Sequence, residues 1–411
     1  MRILLAPHGT RGDVQPMLAL AVALTSRGHE VSFVAPTNSV EWIASFGFEC
    51  RPDGIDVEQT IRAPETQLQS LRWQVRYVIG VVIPRLFQSV AAAADAVNPA
   101  LIVGAGAQMA ATSVAEQCGV PGASVVFAPC AVPSSDAPPP MIHRQTLPAW
   151  LNRGLWRWGA PFADAALRPA MNAGRDRLGL PPHKRPTLLM GGNLMIVASD
   201  RELGPFPRDV PPRVVGTDAW IFDDQHAIDP GLDDFLRAGS PPIYVGLGSM
   251  VAEPGLTLAS HAVAAARSIG CRLVVAGGWA RIDRGVEPSD TVMAIQEAPH
   301  AALFPRVAAA VHHGGAGTTA AVARAGRPQL IVPHILDQYY WAHRVQTLGL
   351  GPRALPVENL TTEQLIPRLR SLVESSAFRE NARTLGTRVA ARDGIPDAVT
   401  ILEKMVAAHR K

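Results

Sequence analysis

The stretch Ala309-Ala310-Val311-His312-His313-Gly314-Gly315-Ala316-Gly317-Thr318-Thr319 runs from a short apolar segment, through two histidines and a glycine turn, into a helix-forming run. A strand delivered so directly to a helix N-terminus is the connection of a parallel α/β sheet. Glycines let the backbone take φ > 0 and lie close to a ligand. The first N–H groups of the helix lack intrahelical acceptors and the positive end of its dipole points outward, so such a turn can seat a phosphate. An ordinary strand–helix turn with two buried histidines fits the same eleven residues.

The rhythm occurs in two series. Residues 2–6 read as a buried strand. Residues 14–27 place Met17, Leu18, Leu20, Ala21 and Leu24 at helical spacing, and Gly28 stops the helix. Residues 30–35 form a second strand, so this is a βαβ unit in a parallel sheet. Further strands are predicted at 100–103, 123–127 and 195–198, with a helix over 108–117. The proline-dense segment 205–212 reads as the inter-domain connection. Strands then succeed one another at 243–246, 272–276, 292–295, 308–311 and 329–332, with helices over 256–268, 315–324 and 338–348. Residues 361–409 are helical in pattern throughout. A chain of 411 residues exceeds one typical core. The predicted class is α/β, with two Rossmann-like doubly wound domains, 1–212 and 213–395, facing a cleft at the carboxyl ends of their strands.

Several functions are disfavoured. The net charge is +3 with no run of Lys or Arg, so nucleic acid is not an expected partner. The first loop, Pro7 to Asp13, lacks G-x-G-x-x-G, and the second strand ends in Ala35-Pro36 with no acid for a ribose; a dinucleotide fold is disfavoured, and so is a P-loop, whose motif is missing. No metal-ligand pattern such as H-E-x-x-H is present. Cys50, Cys118, Cys130 and Cys271 form no C-x-x-C pair and are expected as buried free thiols in a reducing compartment. Residues 3–6 are too short for a signal peptide core. The apolar stretch 78–94 carries Pro84 and Arg85 and falls short of the ~20 residues of a span. A cytoplasmic protein with at most peripheral membrane contact is expected.

Around the glycine turn stand Gln296-Glu297-Ala298-Pro299-His300 with Leu303-Phe304-Pro305 upstream, and Pro333-His334-Ile335-Leu336-Asp337-Gln338 downstream. This ordered set resembles the donor-binding signature of GT-B nucleotide-sugar glycosyltransferases, and is most similar to the bacterial antibiotic and the sterol enzymes. The resemblance implies an inverting transfer of a hexose from a UDP- or dTDP-sugar to a hydroxyl of a lipophilic acceptor, such as a natural-product aglycone, sterol or lipid. The sterol-like "PH-x-x-LFPR" followed by "HHGGAGTT" points to UDP-glucose. No cofactor beyond the nucleotide sugar is implied, and a helix dipole with hydrogen bonds can replace a metal ion. The helix from Pro396 on is implied to cross back onto the first domain.

The resemblance also assigns residues. Arg11-Gly12-Asp13-Val14-Gln15-Pro16 matches "RGDVxP", whose Asp is the candidate base. A carboxylate with a pKa near ~4 cannot deprotonate an alcohol in advance, but it can take the proton as the C–O bond forms. Asp13 could equally be the N-cap of a helix beginning at Val14. Thr10 would orient it, and His8 is a second candidate base. Neighbours at a strand end face opposite sides, so one of His312 and His313 meets the ligand; the family pattern favours His313 and leaves His312 buried. Gly315, Gly317 and Thr318 would donate to the diphosphate. Ser249 lies in a "GS" turn, and Trp279 and Gln296 near the expected base pocket. Asp337 and Gln338 would bind sugar hydroxyls, though Asp337 could also cap 338–348. The segments 67–97 and 129–158 would wall an apolar acceptor cleft, with His8, Trp73, Phe127 and Met141 on the acceptor side. The alternatives are a non-catalytic nucleotide-sugar-binding homologue and a GT-B sugar-nucleotide epimerase; the apolar insert is of little use to the second.

Overall fold

The computed structural model describes residues 1–62, 75–222, 227–251 and 257–410. Trp73, with residues 67–74 of the expected 67–97 insert, lies outside them. Apolar residues buried on both faces give near-continuous hydrophobic strands, which assemble into two wholly parallel sheets. The first comprises β1 (Arg2–His8), β2 (Glu30–Ala35), β3 (Glu49–Pro52), β4 (Leu101–Gly106), β5 (Gly122–Val126), β6 (Leu194–Ala198) and β7 (Val214–Thr217), in the order β3-β2-β1-β4-β5-β6-β7. The second comprises β8 (Ile243–Gly246), β9 (Leu273–Ala276), β10 (Val292–Ile295), β11 (Ala309–His312) and β12 (Gln329–Ile331), in the order β10-β9-β8-β11-β12.

Two of these strands carry no sequence signal. β3 is four mostly exposed residues ending in proline, and β7 is an equally short edge; neither has a hydrophobic run or alternation long enough to register. β7 corrects the domain limit. Its pairing with β6, Met195 opposite Val214 through Ala198 opposite Thr217, puts the proline-dense 205–212 inside the first domain. Proline density breaks helices there, but the chain leaves the first sheet only after Thr217.

Six helices position the cleft and its surroundings: α1 (Arg11–Ser26), α2 (Ile83–Val97), α3 (Ala149–Arg177), α4 (Ala316–Arg324), α5 (Gln338–Thr347) and α6 (Ile395–His409). The run leading into α2 corrects an expectation. It is helical from Val75 to Val97, 23 residues with an 18-residue stretch of mean hydropathy 1.5, long and apolar enough to cross a membrane by length and composition. Its Ile83, Leu86, Phe87, Val90 and Ala93 are instead buried in the first domain's core. Residues expected as loop from 149 to 158 are the start of α3. Of the four free cysteines only Cys130 is buried; Cys118 is exposed.

α6 lies on α1, with Ile395, Ala398, Val399, Leu402 and Val406 sunk into the core beneath β1. It therefore ties the chain's end to the first domain. Leu402 is fully buried there. Leu402→Ala is expected to destabilise the first domain by about 2–5 kcal/mol, read as an earlier denaturant transition for that domain while the second domain's transition stays in place.

Candidate active site

Strand order reverses between β1 and β4 in the first sheet and between β8 and β11 in the second, and each switch point opens a crevice at the strands' carboxyl ends. At the first, β1 ends in His8, paired in register with Gly106 at the end of β4. α1 begins at once, with Thr10 as its N-cap and Asp13 in its first turn. The sequence placed the helix start at Val14, with Asp13 as its possible cap; the helix starts three residues earlier, at Arg11. The Asp13 carboxylate accepts from the Thr10 N–H at 2.8 Å and from its hydroxyl at 3.4 Å. It lies against two glycines. A Cβ on Gly106 would stand 2.7 Å from Asp13 Oδ1, and one on Gly9 closer still to Oδ2; Gly106 also has φ +66, so only glycine suits it. Burial pushes the Asp13 carboxyl up to about 6, against the lowering pull of the Thr10 N–H and nearby His8.

His8 is buried, and its Nδ1 meets Asp53 Oδ2 at 2.6 Å. Asp53 is buried too and anchored by accepting the Ile55 N–H. The sequence does not reveal this partner, since β3, just before it, leaves no local mark. An imidazole held by a carboxylate on one nitrogen is oriented to take a proton on the other.

At the second switch point, β11 delivers the two histidines to α4. His312 is fully satisfied: its Nδ1 accepts from the Gly314 N–H at 3.1 Å and its Nε2–H donates to Gln329 Oε1 at 2.8 Å. Burial pushes its pKa down to about 4. His313 faces the other way, with Nδ1 buried and unpartnered, and burial, then the neighbouring histidines, hold it well below the usual histidine range. Its ring sits where a Cβ on Gly315 would come within 2.5 Å of Nε2 and one on Gly248 within 3.2 Å of Cε1. Gly315 is the N-cap of α4, Gly317 is exposed, and Thr318 is half-buried in the first turn. The Gly248-Ser249 turn abuts the next loop, whose Trp279 N–H donates to Gly248 O at 2.9 Å, and Gln296 Nε2 donates to Gly278 O at 3.0 Å. Trp279 itself packs on the first domain's core, and its carbonyl accepts from Arg62 across the domain boundary at 2.7 Å.

Asp337 caps α5 by position but makes no capping hydrogen bond. Its Oδ2 accepts from Trp341 Nε1 at 3.1 Å, and burial, with a smaller contribution from Asp13, pushes its carboxyl up to about 6. Asp13, in the opposite domain, is near enough to add to that rise. Gln338 corrects an expectation: its Oε1 accepts from the His334 and Ile335 N–H groups at 2.7 and 3.1 Å, so its carbonyl holds the turn and only its amide N–H₂ remains for a hydroxyl. Phe127 is half-buried. It packs edge-on to Trp220 at 6.2 Å in the first domain's core. Met141 is 60% exposed. Among the described residues no group of three or more His, Cys, Asp or Glu could hold a metal ion.

The raised Asp13 pKa makes stability depend on pH. The folded value, about 6, lies above the ordinary 3.8, so ionising the group inside the fold costs stability; the cost is absent below about pH 3.8, grows as pH rises towards 6 and is constant above. Asp13→Asn keeps an acceptor for the Thr10 N–H. It is expected to raise the melting temperature at about pH 7.5, with the gain shrinking as pH falls from 6 towards 4. A pH-independent gain in a melting series would place the effect elsewhere.

Known proteins share both the sequence and this geometry. Residues 3–133 match the glycosyltransferase family 28 N-terminal domain, and residues 280–405 the erythromycin biosynthesis protein CIII-like C-terminal domain. The chain is 35% identical to a vancomycin aglycone glucosyltransferase of Amycolatopsis orientalis, over 95% of this chain and 96% of that protein. It is 28% identical to a sterol 3-beta-glucosyltransferase of Arabidopsis thaliana, over the full chain and 66% of that protein. The glycosyltransferase VinC, solved with dTDP, superposes with a TM-score of 0.71 over 99% of this chain and all of the other, at 24% identity. Two domains, each with a crevice at its switch point, together with near-full-length identity to an antibiotic glycosyltransferase, establish that the chain belongs to the GT-B nucleotide-sugar glycosyltransferases that include the antibiotic and sterol enzymes.

Proposed function

We propose that the protein is a cytoplasmic, inverting glycosyltransferase that moves a hexose from a UDP- or dTDP-sugar to a hydroxyl of a lipophilic small molecule. The observation that carries this reading is the pairing across the cleft: a phosphate seat at the start of α4 on one side and a carboxylate poised near neutrality on the other. The donor lies along the second domain. First-turn amides of α4, the Thr318 hydroxyl and neutral His313 hold the diphosphate and stabilise the charge that grows on it as it leaves. Ser249 reaches the same phosphates, Gln296 borders the base, and Asp337 with the Gln338 amide holds the sugar hydroxyls. The acceptor enters from the first domain. Asp13 takes its proton as the oxygen attacks the anomeric carbon, and the nucleoside diphosphate departs from the opposite face. A carboxyl at about 6 is almost wholly ionised at pH 7.5 yet more basic than a solvated one, which suits that task.

The contact between His8 and Asp53 favours a second assignment of the same step, with His8 as base and Asp53 holding its tautomer. The two are separable. With Asp13 as base, Asp13→Asn lowers kcat by about 10²–10⁴-fold, leaves donor affinity within about twofold, and the wild-type rate climbs through pH 6 to a plateau. If Asp53→Asn alone produces the large loss and Asp13→Asn does not, His8 is the base.

Metal independence is part of the proposal, because a helix N-terminus and neutral donors surround the phosphates. Turnover is expected to survive EDTA; a loss restored by Mg²⁺ would refute it. The donor is identified by a thermal-shift panel of nucleotide sugars, in which a ligand at ~100 times its Kd stabilises by about 2.7 kcal/mol. His313→Ala is expected to weaken that ligand about tenfold, the worth of one hydrogen bond to a charged group.

A further inference from the structure

Helix α3 belongs to the acceptor-binding domain and carries the most exposed aromatic side chains among the described residues. Trp150, Trp158 and Phe162 are 69%, 60% and 78% exposed. Eight and twelve residues beyond Trp150, the other two rings stand about 80° and 120° round the helix from it. The helix's buried positions, Asn152, Asp164, Met171, Gly174 and Arg175, fall between about 200° and 340°, outside the arc of the three rings. Three large aromatic side chains thus share one outward stripe that no part of the described chain covers.

The exposed charges that border the stripe have one sign. Arg157 and Arg168 are exposed and border the Trp150 edge of the stripe, within about 20° of it. Arg144 is exposed in the preceding loop. The carboxylates of α3 are Asp164 and Asp176. Asp164 is buried and accepts from the Thr187 N–H and hydroxyl; Asp176 is close to the far end. An aromatic stripe edged by arginines, with no carboxylate beside it, has the composition of a helix lying in a lipid headgroup layer, where indole rings sit at the boundary and guanidinium groups meet anionic phosphates.

We propose that α3 is a peripheral membrane-docking surface selective for anionic lipid headgroups, and that it brings the cleft to a bilayer from which a lipophilic acceptor is drawn. The acceptor's route rests on the proposed function; the docking itself does not. Interfacial binding through three aromatics and a few arginines is reversible, and it weakens with salt as headgroup attraction is screened.

The test is sedimentation of the full-length protein with phosphatidylglycerol/phosphatidylcholine vesicles and with phosphatidylcholine vesicles alone. Binding to the anionic vesicles is expected to be at least ~10-fold tighter and to fall about tenfold as salt is raised to about 0.5 M. The triple variant Trp150→Ser, Trp158→Ser, Phe162→Ser is expected to lose at least ~10-fold in vesicle binding while its melting temperature and its thermal stabilisation by the nucleotide sugar stay unchanged. Arg157→Gln with Arg168→Gln should remove most of the salt dependence. The proposal is overturned by no binding to either vesicle, by equal binding of wild type and triple variant, or by wild-type self-association in sedimentation velocity that the triple variant abolishes, which would make the stripe a contact between copies. Vesicle binding by a protein without transferase activity would leave docking intact and sink the proposed function alone.

Discussion

Asp13 sits where the Thr10 N–H, the end of β1 and two glycines converge, with more burial than its hydrogen bonds offset. Much of the first domain serves that arrangement. β1 must end beside β4 so that His8 and Gly106 fall level, and α1 must turn straight out of β1 so that its first turn points into the crevice. Gly9 and Gly106 leave room that any side chain would fill. The same desolvation that costs stability brings the carboxyl near neutrality, so strain and reactivity have one origin.

The second domain solves the opposite electrostatic problem. A diphosphate brings negative charge, yet the histidines around its proposed seat are held neutral by burial and by each other. The compensation comes from backbone: the unpaired amides at the start of α4 and the dipole behind them. These groups are fixed before a ligand arrives and need no proton, so the seat has no titration of its own near neutrality. The acidic group beside it, Asp337, is itself raised, in part by Asp13 opposite.

Contacts across the boundary keep the halves in register. The stack of His143 on Tyr339, ring centroids 3.8 Å apart, places the first domain's proline-rich loop beside the Asp337 turn. Arg344 of α5 donates to the carbonyls of Leu203 and Glu202. α6, returning to α1, links the last residues of the chain to its first helix.

The parallel strands with long apolar runs and the glycine turn into α4 were legible in the residues, because burial on both faces and helix starts leave local marks. The short edges β3 and β7 left none, and with them went Asp53 and the true end of the first sheet. Phe127, expected on the acceptor side, is half-buried and packs against the first domain's core, and an aromatic at a strand end has the same local signature in either place. Sequence by itself determined the fold class, the glycine turn at a helix start and the carboxylate that follows the first strand. Only tertiary structure decided that His8 has a carboxylate partner, that Gln338 turns its carbonyl inward, and that the aromatics of α3 point outward. Each of these depends on which distant segment fills the space beside a side chain, and spacing along the chain carries no record of that.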